Sequence, residues 1–237
     1  RYTLVTGVQT CALPISDSAV EFQRQQAKIV AALALLDADA LGLMEIQNNT
    51  VAAQNLAAAL NARLGAGSYA VAPGAAAGVV GSDAIKTTIL YKPARLAPVG
   101  PSVADLDAVN NRPTVAQTFA APNGQRFTLV VNHLKSKGSC PAADDAANAA
   151  NRDSGDGQGC WNALRVAQAT RLRSFVSQLQ TASGSNDVVL VGDFNAYAQE
   201  DPIHQLTSSG YVDQIGRINS FGYSYVFDGA AGRLDHA

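Results

Sequence analysis

The sequence has no excess of basic charge and no long hydrophobic run, and each absence excludes a class of protein. Lys and Arg number 17 against 19 Asp and Glu, so the formal net charge is −2 and no global basic field indicates nucleic acid. No segment is long and apolar enough to cross a membrane, and neither a fixed-period repeat nor a domain linker is evident. The chain of 237 residues is 47% hydrophobic, which is enough for a sizeable core in one large domain or two small ones.

Cysteine is scarce, with 3 residues in the chain. Cys140 and Cys160 bracket a polar loop, and a disulfide closing a loop of this length would stabilise the protein by about 3 kcal/mol in the chain-entropy model. Such a bond would indicate an oxidising compartment, and hence a secreted or periplasmic protein. The alternative is two free thiols. A zinc site is disfavoured, because no further Cys or His lies nearby at ligand spacing.

Both ends of the chain interrupt its pattern. Residues 1–16 fit poorly with the rest of the chain and resemble translated sequencing-adapter sequence, so we expect them to be non-native. The alternative is an ordinary first strand over residues 2–8. The last residues, 234–237, stop in the middle of a pattern. We therefore expect residues 17–237 to form a single domain that is truncated at both ends.

Apolar strands alternate with amphipathic helices along the rest of the chain. Helices are predicted over residues 18–36, 51–64 and 161–180, with Ser16 or Asp17 as the first cap. Pro122-Asn123-Gly124 is a hairpin signal, so some neighbouring strands are joined directly rather than through helices. This mixture predicts an α/β sandwich with mixed sheets rather than a doubly wound parallel sheet.

Polar side chains lie at the ends of several predicted strands. The clearest case is the apolar run at residues 188–191, which continues into Gly192-Asp193-Phe194-Asn195. Alternate strand residues point to the same side, so we expect Asp193 and Asn195 to project together at the end where α/β sheets bind ligands. Three other predicted strands end in Glu45, His133 and Asp235. Each of these residues alone has an ordinary structural explanation, but a buried carboxylate such as Glu45 is costly unless it is paired or binds a metal.

Together these motifs resemble the endonuclease/exonuclease/phosphatase superfamily, which includes pancreatic deoxyribonuclease I, abasic-site endonucleases and neutral sphingomyelinases. The resemblance is carried, in order, by residues 43–48, 111–113, 131–137, 192–196 and 234–236. It implies a DNase I-like fold, a four-layer α/β sandwich with two mixed β-sheets flanked by helices. Residues 133–138 and 157–162 are most similar to the large secreted bacterial nucleases of the group.

The resemblance also implies roles in metal-dependent phosphodiester hydrolysis. Glu45 would be the principal ligand of a divalent metal, with Asp193 beside it; Mg²⁺ is expected first, with Mn²⁺ or Ca²⁺ as alternatives. Asp193 would also activate the attacking water, and Asn195 would hold that water or the phosphate. His133 would donate a hydrogen bond or a proton to the phosphate. The residues expected to contact the substrate are Arg112, Asn132 and Lys135.

Two departures from the superfamily pattern affect the expected activity. Asp235 would orient a catalytic histidine of a Ser-Asp-His element beyond residue 237, and His236 is not that histidine. The Glu that supports the first histidine in deoxyribonuclease has no counterpart, and Asp83 is only a weak candidate. We therefore expect the 237-residue chain itself to be nearly inactive.

The predicted function is a secreted, metal-dependent nuclease that acts on DNA, with RNA as a second substrate, as a monomer without an obligate protein partner. One alternative is a sphingomyelinase-like lipid phosphodiesterase or a phosphatase of the same superfamily. A lipid enzyme would carry apolar membrane-inserting hairpins, and no exposed aromatic hairpin is expected from the sequence. The other alternative is a non-catalytic binding module, which would not need Glu45, His133, Asp193 and Asn195 together.

Overall fold

Two β-sheets lie face to face at the centre of the molecule, and helices cover their outer faces. The computed structural model describes residues 4–9 and 18–237. The strands are β1 (Leu4–Gln9), β2 (Ala40–Gln47), β3 (Ala70–Val71), β4 (Ile85–Tyr91), β5 (Ala97–Pro98), β6 (Val103–Asp105), β7 (Thr114–Ala120), β8 (Arg126–His133), β9 (Val188–Asp193), β10 (Tyr225–Phe227), β11 (Ala230–Gly232) and β12 (Asp235–His236). The helices are α1 (Ala19–Leu36), α2 (Ala52–Leu64), α3 (Asn162–Ser183), α4 (Asp201–Thr207) and α5 (Gln214–Ile218), and a 3₁₀ helix spans Ala146–Asn151.

Both sheets mix parallel and antiparallel pairs. The first sheet has the order β1-β2-β4-β3, and the second has the order β12-β9-β8-β7-β5 with β6 also paired to β7. The pairs β1–β2 and β8–β9 are parallel, whereas β2–β4 and β7–β8 are antiparallel. This architecture confirms the predicted DNase I-like sandwich of mixed sheets flanked by helices.

Apolar side chains fill all three spaces between the layers. Helices α1 and α2 cover the first sheet through residues such as Leu33 and Leu60, which have no exposed surface. Helix α3 covers the second sheet through residues such as Leu172 and Val176. Met44, Ile89 and Val131 lie between the two sheets. None of the helices in the described part of the chain is long and apolar enough to cross a membrane.

Glycine allows the two sheets to approach closely near the centre of this core. A Cβ atom on Gly42 of β2 would lie 2.7 Å from Val191 Cγ2 and 2.8 Å from Val131 Cγ2, distances that side chains essentially never adopt. The close approach matters for function, because it brings the end of β2 near the ends of β8 and β9.

Element boundaries at the N-terminus differ in detail from those predicted. Helix α1 begins after Ser18, whose hydroxyl accepts a hydrogen bond from the Glu21 amide; Ser16 and Asp17 lie outside the described residues. Residues 4–9 form a strand at the edge of the first sheet, as in the alternative to a non-native segment. The remainder of residues 1–16, including Cys11, lies outside the described residues. The origin of this stretch stays a prediction.

One further expectation is corrected by the structure. The expectation that no aromatic hairpin is exposed was wrong, because β10 and β11 form a two-stranded hairpin that is separate from the two large sheets. Its side chains include Tyr225 at 39% and Phe227 at 66% exposure, and the preceding segment carries Phe221 at 93%.

Candidate active site

The structure gathers three of the predicted site residues at the ends of neighbouring strands. His133 of β8 lies opposite Asp193 of β9 in parallel register, and Asp235 of β12 lies opposite Asp193 from the other side. Glu45 comes from β2 in the facing sheet, yet it is close enough for the charge of Asp193 to raise its pKa. The site therefore forms where both sheets end together, as ligand sites of α/β folds do.

A break in the strand sets the position of Glu45. The residue has a φ of 58°, in the left-handed region, and the register between β2 and β4 shifts between Leu43 and Ile46. Such a bulge bends a strand locally and is common beside active sites. It leaves Met44 fully buried between the sheets while Glu45 is only half-buried. The backbone conformation costs free energy that the surrounding packing must offset.

Gly192 sets the position of Asp193. Its φ is 138°, and a Cβ atom at this position would overlap the backbone of Asn132 in β8. A side chain would therefore force β8 and β9 apart just before both catalytic candidates, His133 and Asp193. The glycine of the Gly-Asp-Phe-Asn motif is thus required by strand packing rather than by contact with a ligand.

The three carboxylates form an acidic cluster in which each disfavours the charge of its neighbours. Burial raises the pKa of Glu45, Asp193 raises it further, and Arg112 lowers it. Burial and then Asp193 raise the pKa of Asp235 to about 7, although a hydrogen bond from Ser224 opposes the shift. One oxygen of Asp235, Oδ1, is buried with no hydrogen-bond partner. The cluster is therefore electrostatically unfavourable when all its members are ionised.

The chemistry of this cluster fits a divalent cation. Carboxylate oxygens are the ligands preferred by Mg²⁺ and Ca²⁺, and a cation would relieve the repulsion among Glu45, Asp193 and Asp235. Within residues 18–237, no group of 3 or more His, Cys, Asp and Glu side chains is arranged to enclose an ion. Mg²⁺ is commonly held in proteins by one or two carboxylates, while water and substrate phosphate complete its coordination.

His133 is a neutral imidazole in this environment. Its side chain is only 4% exposed, and Nε2 lies 3.9 Å from Asp193 Oδ2, too far for a direct hydrogen bond. Burial and the charge of Arg112 lower its pKa to about 3, and its Nδ1 is buried with no hydrogen-bond partner. Of the two roles predicted for His133, the structure supports donation of a hydrogen bond rather than of a proton.

Asp83 holds Arg112 instead of supporting His133. Arg112 Nε donates to Asp83 Oδ2 at 3.1 Å, and Arg112 Nη1 lies 3.5 Å from the Leu134 carbonyl oxygen. The Asp83 loop is fixed in turn by Asn48, whose Nδ2 donates to the carbonyls of Val80 and Asp83 at 2.9 Å. Arg112 thereby stands between this loop and the end of β8, beside His133 and Glu45.

The alternation argument had predicted that Asn195 projects from the strand together with Asp193, but Asn195 lies beyond the end of the strand. Strand β9 ends at Asp193, and Asn195 has a φ of 48°. Its backbone N–H donates to Asp193 Oδ1 at 2.8 Å, and its Nδ2 donates to the Leu134 carbonyl at 3.0 Å. The turn, rather than the pleat of the strand, brings Asn195 next to Asp193 and fixes the carboxylate of Asp193.

The structure gives Asn132 a structural position instead of the predicted contact with the substrate. Its side chain is fully buried. Asn132 Oδ1 accepts a hydrogen bond from Thr114 Oγ1 at 3.1 Å, and its Nδ2 donates to the carbonyls of Val130 and Val191. Asn132 therefore stabilises the strands behind the site and does not reach its surface.

Lys135 is available to a phosphate, whereas Lys137 is paired. Lys135 Nζ lies 4.6 Å from the centroid of the Trp161 ring, and burial lowers the pKa of Lys135 with further contributions from Arg112 and Arg165. Lys137 Nζ instead donates to both carboxylate oxygens of Glu200 at 2.7 Å. Of these two lysines, Lys135 brings net positive charge to this side of the site.

Two buried polar residues of α3 hold the Lys135 segment and were missed from the sequence. Arg165, with no exposed surface, donates from Nη1 to the carbonyls of Lys135 and Cys160. Gln168 accepts from the Lys135 amide at 2.9 Å and donates to Asn111 Oδ1 at 2.8 Å. Arg165, Gln168 and Leu172 are spaced by three and four residues, so helical periodicity places them on one face.

The predicted disulfide joins Cys140 to Cys160, with their Cα atoms 5.4 Å apart. It closes the loop between the Lys135 segment and α3. Just outside that loop, next to the two cysteines, Trp161 Nε1 donates to the Ser139 carbonyl at 2.9 Å. The disulfide therefore stabilises the same Lys135 segment that Arg165 and Gln168 hold through hydrogen bonds.

His236 lies apart from Asp235, as expected for adjacent residues of a strand. Its Nε2 is 2.8 Å from the Ala196 carbonyl oxygen, and its ring meets the Phe194 ring edge-on. It also lines a cavity of about 1050 Å³ between β9, α4 and α5, to which Phe194, Ile203 and Tyr211 contribute. Glu45, His133, Asp193 and Asp235 do not line this cavity.

The four-layer sandwich, with carboxylates, a neutral histidine and an arginine at its strand ends, defines a phosphate-ester hydrolase. The model of the Endonuclease/Exonuclease/phosphatase family matches residues 11–237, so the chain belongs to that family. The family comprises hydrolytic phosphoesterases. A search of the curated proteins found none that matches this chain.

Solved structures share the fold at low sequence identity. The human Nocturnin catalytic domain with bound sulfate anion is 20% identical, with a TM-score of 0.60 over 90% of this chain and 73% of that one. D. rerio TDP2 complexed with a single-strand DNA product is 16% identical, with a TM-score of 0.58 over 94% and 78%. ANGEL2, a 2′,3′-cyclic phosphatase, is 15% identical, with a TM-score of 0.52 over 77% and 46%. These likenesses support the fold class alone.

Proposed function

We propose that this protein is a secreted or periplasmic, metal-dependent phosphodiesterase that cleaves nucleic acid, with DNA as the first substrate and RNA as the second. The observation that carries the proposal is the meeting of His133, Asp193 and Asp235 on adjacent strands with Glu45 from the facing sheet. Structural similarity to TDP2, which was solved in complex with a single-strand DNA product, supports nucleic acid as the substrate class. The Cys140–Cys160 disulfide supports an oxidising compartment.

Each residue has a distinct part in the proposed hydrolysis. Asp193, whose carboxylate is fixed by the Asn195 amide, accepts the proton of the attacking water. His133 is neutral and donates an N–H hydrogen bond to a phosphoryl oxygen. Arg112, held by Asp83, supplies positive charge beside the phosphate. A divalent ion held by Glu45, with Asp193 beside it, would supply Lewis-acid stabilisation of the phosphoryl charge.

The second candidate is a sphingomyelinase-like lipid phosphodiesterase. The observation that favours it is the exposed aromatic hairpin β10–β11, since a lipid enzyme of this fold would need apolar groups that enter a membrane. Both candidates share the same catalytic chemistry, so only the substrate separates them.

Supercoiled plasmid and sphingomyelin vesicles, each with Mg²⁺, test the proposal. Both substrates are offered to the 237-residue chain and to the same chain extended by a Ser-Asp-His element. We expect the extended protein to nick the plasmid, and Glu45→Ala or Asp193→Ala to abolish nicking while the circular dichroism spectrum is retained. Hydrolysis of sphingomyelin without nicking would establish the second candidate. No hydrolysis by either protein would leave a non-catalytic module.

A further inference from the structure

The aromatic hairpin β10–β11 is connected to the proposed catalytic site by hydrogen bonds at its base. Ser224, the residue before β10, accepts hydrogen bonds from the amides of Leu234 and Asp235 at 3.1 and 3.2 Å. Ser224 also lowers the pKa of the Asp235 carboxyl, against the larger effect of burial. Tyr225, the first residue of β10, therefore directly follows a residue whose side chain contacts Asp235 of the acidic cluster. The hairpin extends from this point.

Two rings of this hairpin form an open aromatic surface. Tyr225 and Phe227 lie on the same face, with ring centroids 6.3 Å apart and planes inclined by only 13°. Their cross-strand partners are Gly232 and Ala230, which are too small to cover the rings. Tyr225 is 39% exposed and Phe227 is 66% exposed. Nothing in the described chain covers these ring faces as a hydrophobic core would.

A third ring connects this surface to the motif that ends β9. The side chain of Tyr197, two residues beyond Asn195, packs directly over Gly232, leaving no space there for a Cβ atom. Lys137 Nζ lies 5.4 Å from the centroid of the Tyr197 ring. Tyr197 therefore contacts the hairpin at Gly232, the cross-strand partner of Tyr225, and so lies between the Gly-Asp-Phe-Asn motif and the hairpin.

The tip of the hairpin argues against insertion into a bilayer. The two strands are joined by Asp228-Gly229, and Asp228 is exposed. A carboxylate at the tip would enter the hydrocarbon region first, which is strongly unfavourable. Parallel ring faces beside a phosphoesterase site suit the flat, apolar faces of nucleobases, which stack on aromatic side chains without sequence preference.

We propose that Tyr225 and Phe227 form a stacking subsite for unpaired bases of a nucleic acid whose backbone reaches the acidic cluster. The proposal rests on the proposed function and deepens it by naming single-stranded nucleic acid, or single-stranded stretches within a duplex, as the ligand. In an intact duplex each base face is already covered by its neighbours, so a protein ring has no free face to stack on.

Fluorescence anisotropy with a 5′-labelled 12-nucleotide oligo(dT) and with a 12-base-pair duplex tests the subsite in EDTA, so that hydrolysis does not interfere. We expect the protein to bind the single strand more tightly than the duplex. The double variant Tyr225→Ala/Phe227→Ala should weaken single-strand binding by about 10- to 100-fold, because each stacked base contributes substantially to affinity, and should leave duplex binding unchanged.

Two variants make the readout specific. Val226→Ala alters the opposite face of the same strand, where Val226 is 55% exposed, and should leave binding of both DNAs unchanged. Tyr225→Leu/Phe227→Leu keeps apolar area but removes the rings, so it should weaken oligo(dT) binding nearly as much as the alanine variant does. Near-ultraviolet and far-ultraviolet circular dichroism verify that each variant is folded.

The outcomes separate this inference from the proposed function. Equal affinity of the wild-type and double-alanine proteins for oligo(dT) would overturn the stacking subsite, even if plasmid nicking persists. Cosedimentation with phosphatidylcholine vesicles that the alanine variant loses and the leucine variant retains would assign the hairpin to a membrane instead. A wild-type dimer, seen by sedimentation velocity, that the alanine variant dissociates would assign it to a second copy. Selective oligo(dT) binding without any hydrolysis would support the subsite and overturn the nuclease.

Discussion

The two sides of the candidate site are built in opposite ways. On the acidic side, burial and the charge of Asp193 raise the pKa of both Glu45 and Asp235, and Asp235 Oδ1 is buried without a partner. On the basic side, Lys135 is held by Arg165 and Gln168 through hydrogen bonds to its backbone.

The difference shows where the fold stores unfavourable energy and where it obtains rigidity. The acidic side is destabilising until a cation or a proton arrives, and such perturbed groups are typical of functional sites. On the basic side, hydrogen bonds with Arg165 and Gln168 hold the backbone of Lys135 in place before a substrate binds, although Arg165 Nε itself has no partner. Substitutions on either side test this contrast, in descending order of expected effect.

The largest effect is expected from Glu45→Gln, which removes the charge that we propose binds the divalent ion and keeps the size of the side chain. We expect plasmid nicking by the extended protein to fall by about 10³-fold, because Lewis-acid stabilisation is worth several kcal/mol. The control is Asp187→Asn, an exposed carboxylate just before the opposite end of β9, which should leave the rate unchanged. Equal loss in both variants would contradict a special role for Glu45.

Arg165→Met tests the rigidity of the basic side. It leaves the carbonyls of Lys135 and Cys160 without their donor, so we expect the free energy of unfolding to fall by roughly 3 kcal/mol. Urea denaturation measures this change. Arg173→Met, an exposed change on the same helix, should alter stability by less than about 0.5 kcal/mol. If the two variants were equally stable, Arg165 would not be holding this wall.

Asp235→Asn tests the repulsion on the acidic side. The folded-state pKa of Asp235 is raised to about 7 from 3.8, so the folded protein binds a proton more tightly than the unfolded chain. Its contribution to stability is present below pH 3.8 and is lost as pH rises towards 7. In EDTA at pH 8 we expect the variant to be more stable than the wild type by about 2 to 4 kcal/mol, the upper figure being the full pKa shift converted to free energy, and equally stable at about pH 3.5. A pH-independent difference would show that desolvation and repulsion do not act on this group.

The smallest effect is expected from Lys135→Gln. Removing one charge that faces phosphate should weaken oligo(dT) binding by a few-fold and reduce the salt slope of log K by about 1 unit. Anisotropy titrations between about 50 and 200 mM salt measure both quantities. Lys137→Gln is the matched comparison, because Lys137 is already neutralised by Glu200 and should not change the slope. Equal slopes for the two variants would contradict the assignment of Lys135 to phosphate.

Much of the fold was predictable because its signals are local. The apolar run at residues 188–191 and the hairpin signal at residues 122–124 both predicted strands that the structure contains, β9 in one case and β7 and β8 in the other. The two short strands β5 and β6 were missed, since two or three residues give no periodicity. Helix α5 was missed for the same reason, as it is only 5 residues long.

The candidate site was predicted as a set of residues, but not as a set of contacts. Asn195 was correctly predicted to lie beside Asp193, but the reason was wrong: a turn, and not strand alternation, places it there. Asn132 was expected to contact the substrate. Its position near the end of a strand gave no indication that the neighbouring strands β7 and β9 enclose its side chain. The exposure of the β10–β11 hairpin also depends on which elements fail to cover it, which no local pattern records.

By itself, the sequence determined the chemical types at the strand ends and the order in which they occur. Local rules suffice for this, because strand length, turns and helical caps depend on residues a few positions apart. Only the tertiary structure decided that Glu45 from one sheet meets Asp193 and Asp235 from the other, that Asp83 holds Arg112, and that Tyr225 and Phe227 stay exposed. Burial, repulsion and uncovered surface are properties of groups far apart in the chain, so they exist only once the two sheets have packed together.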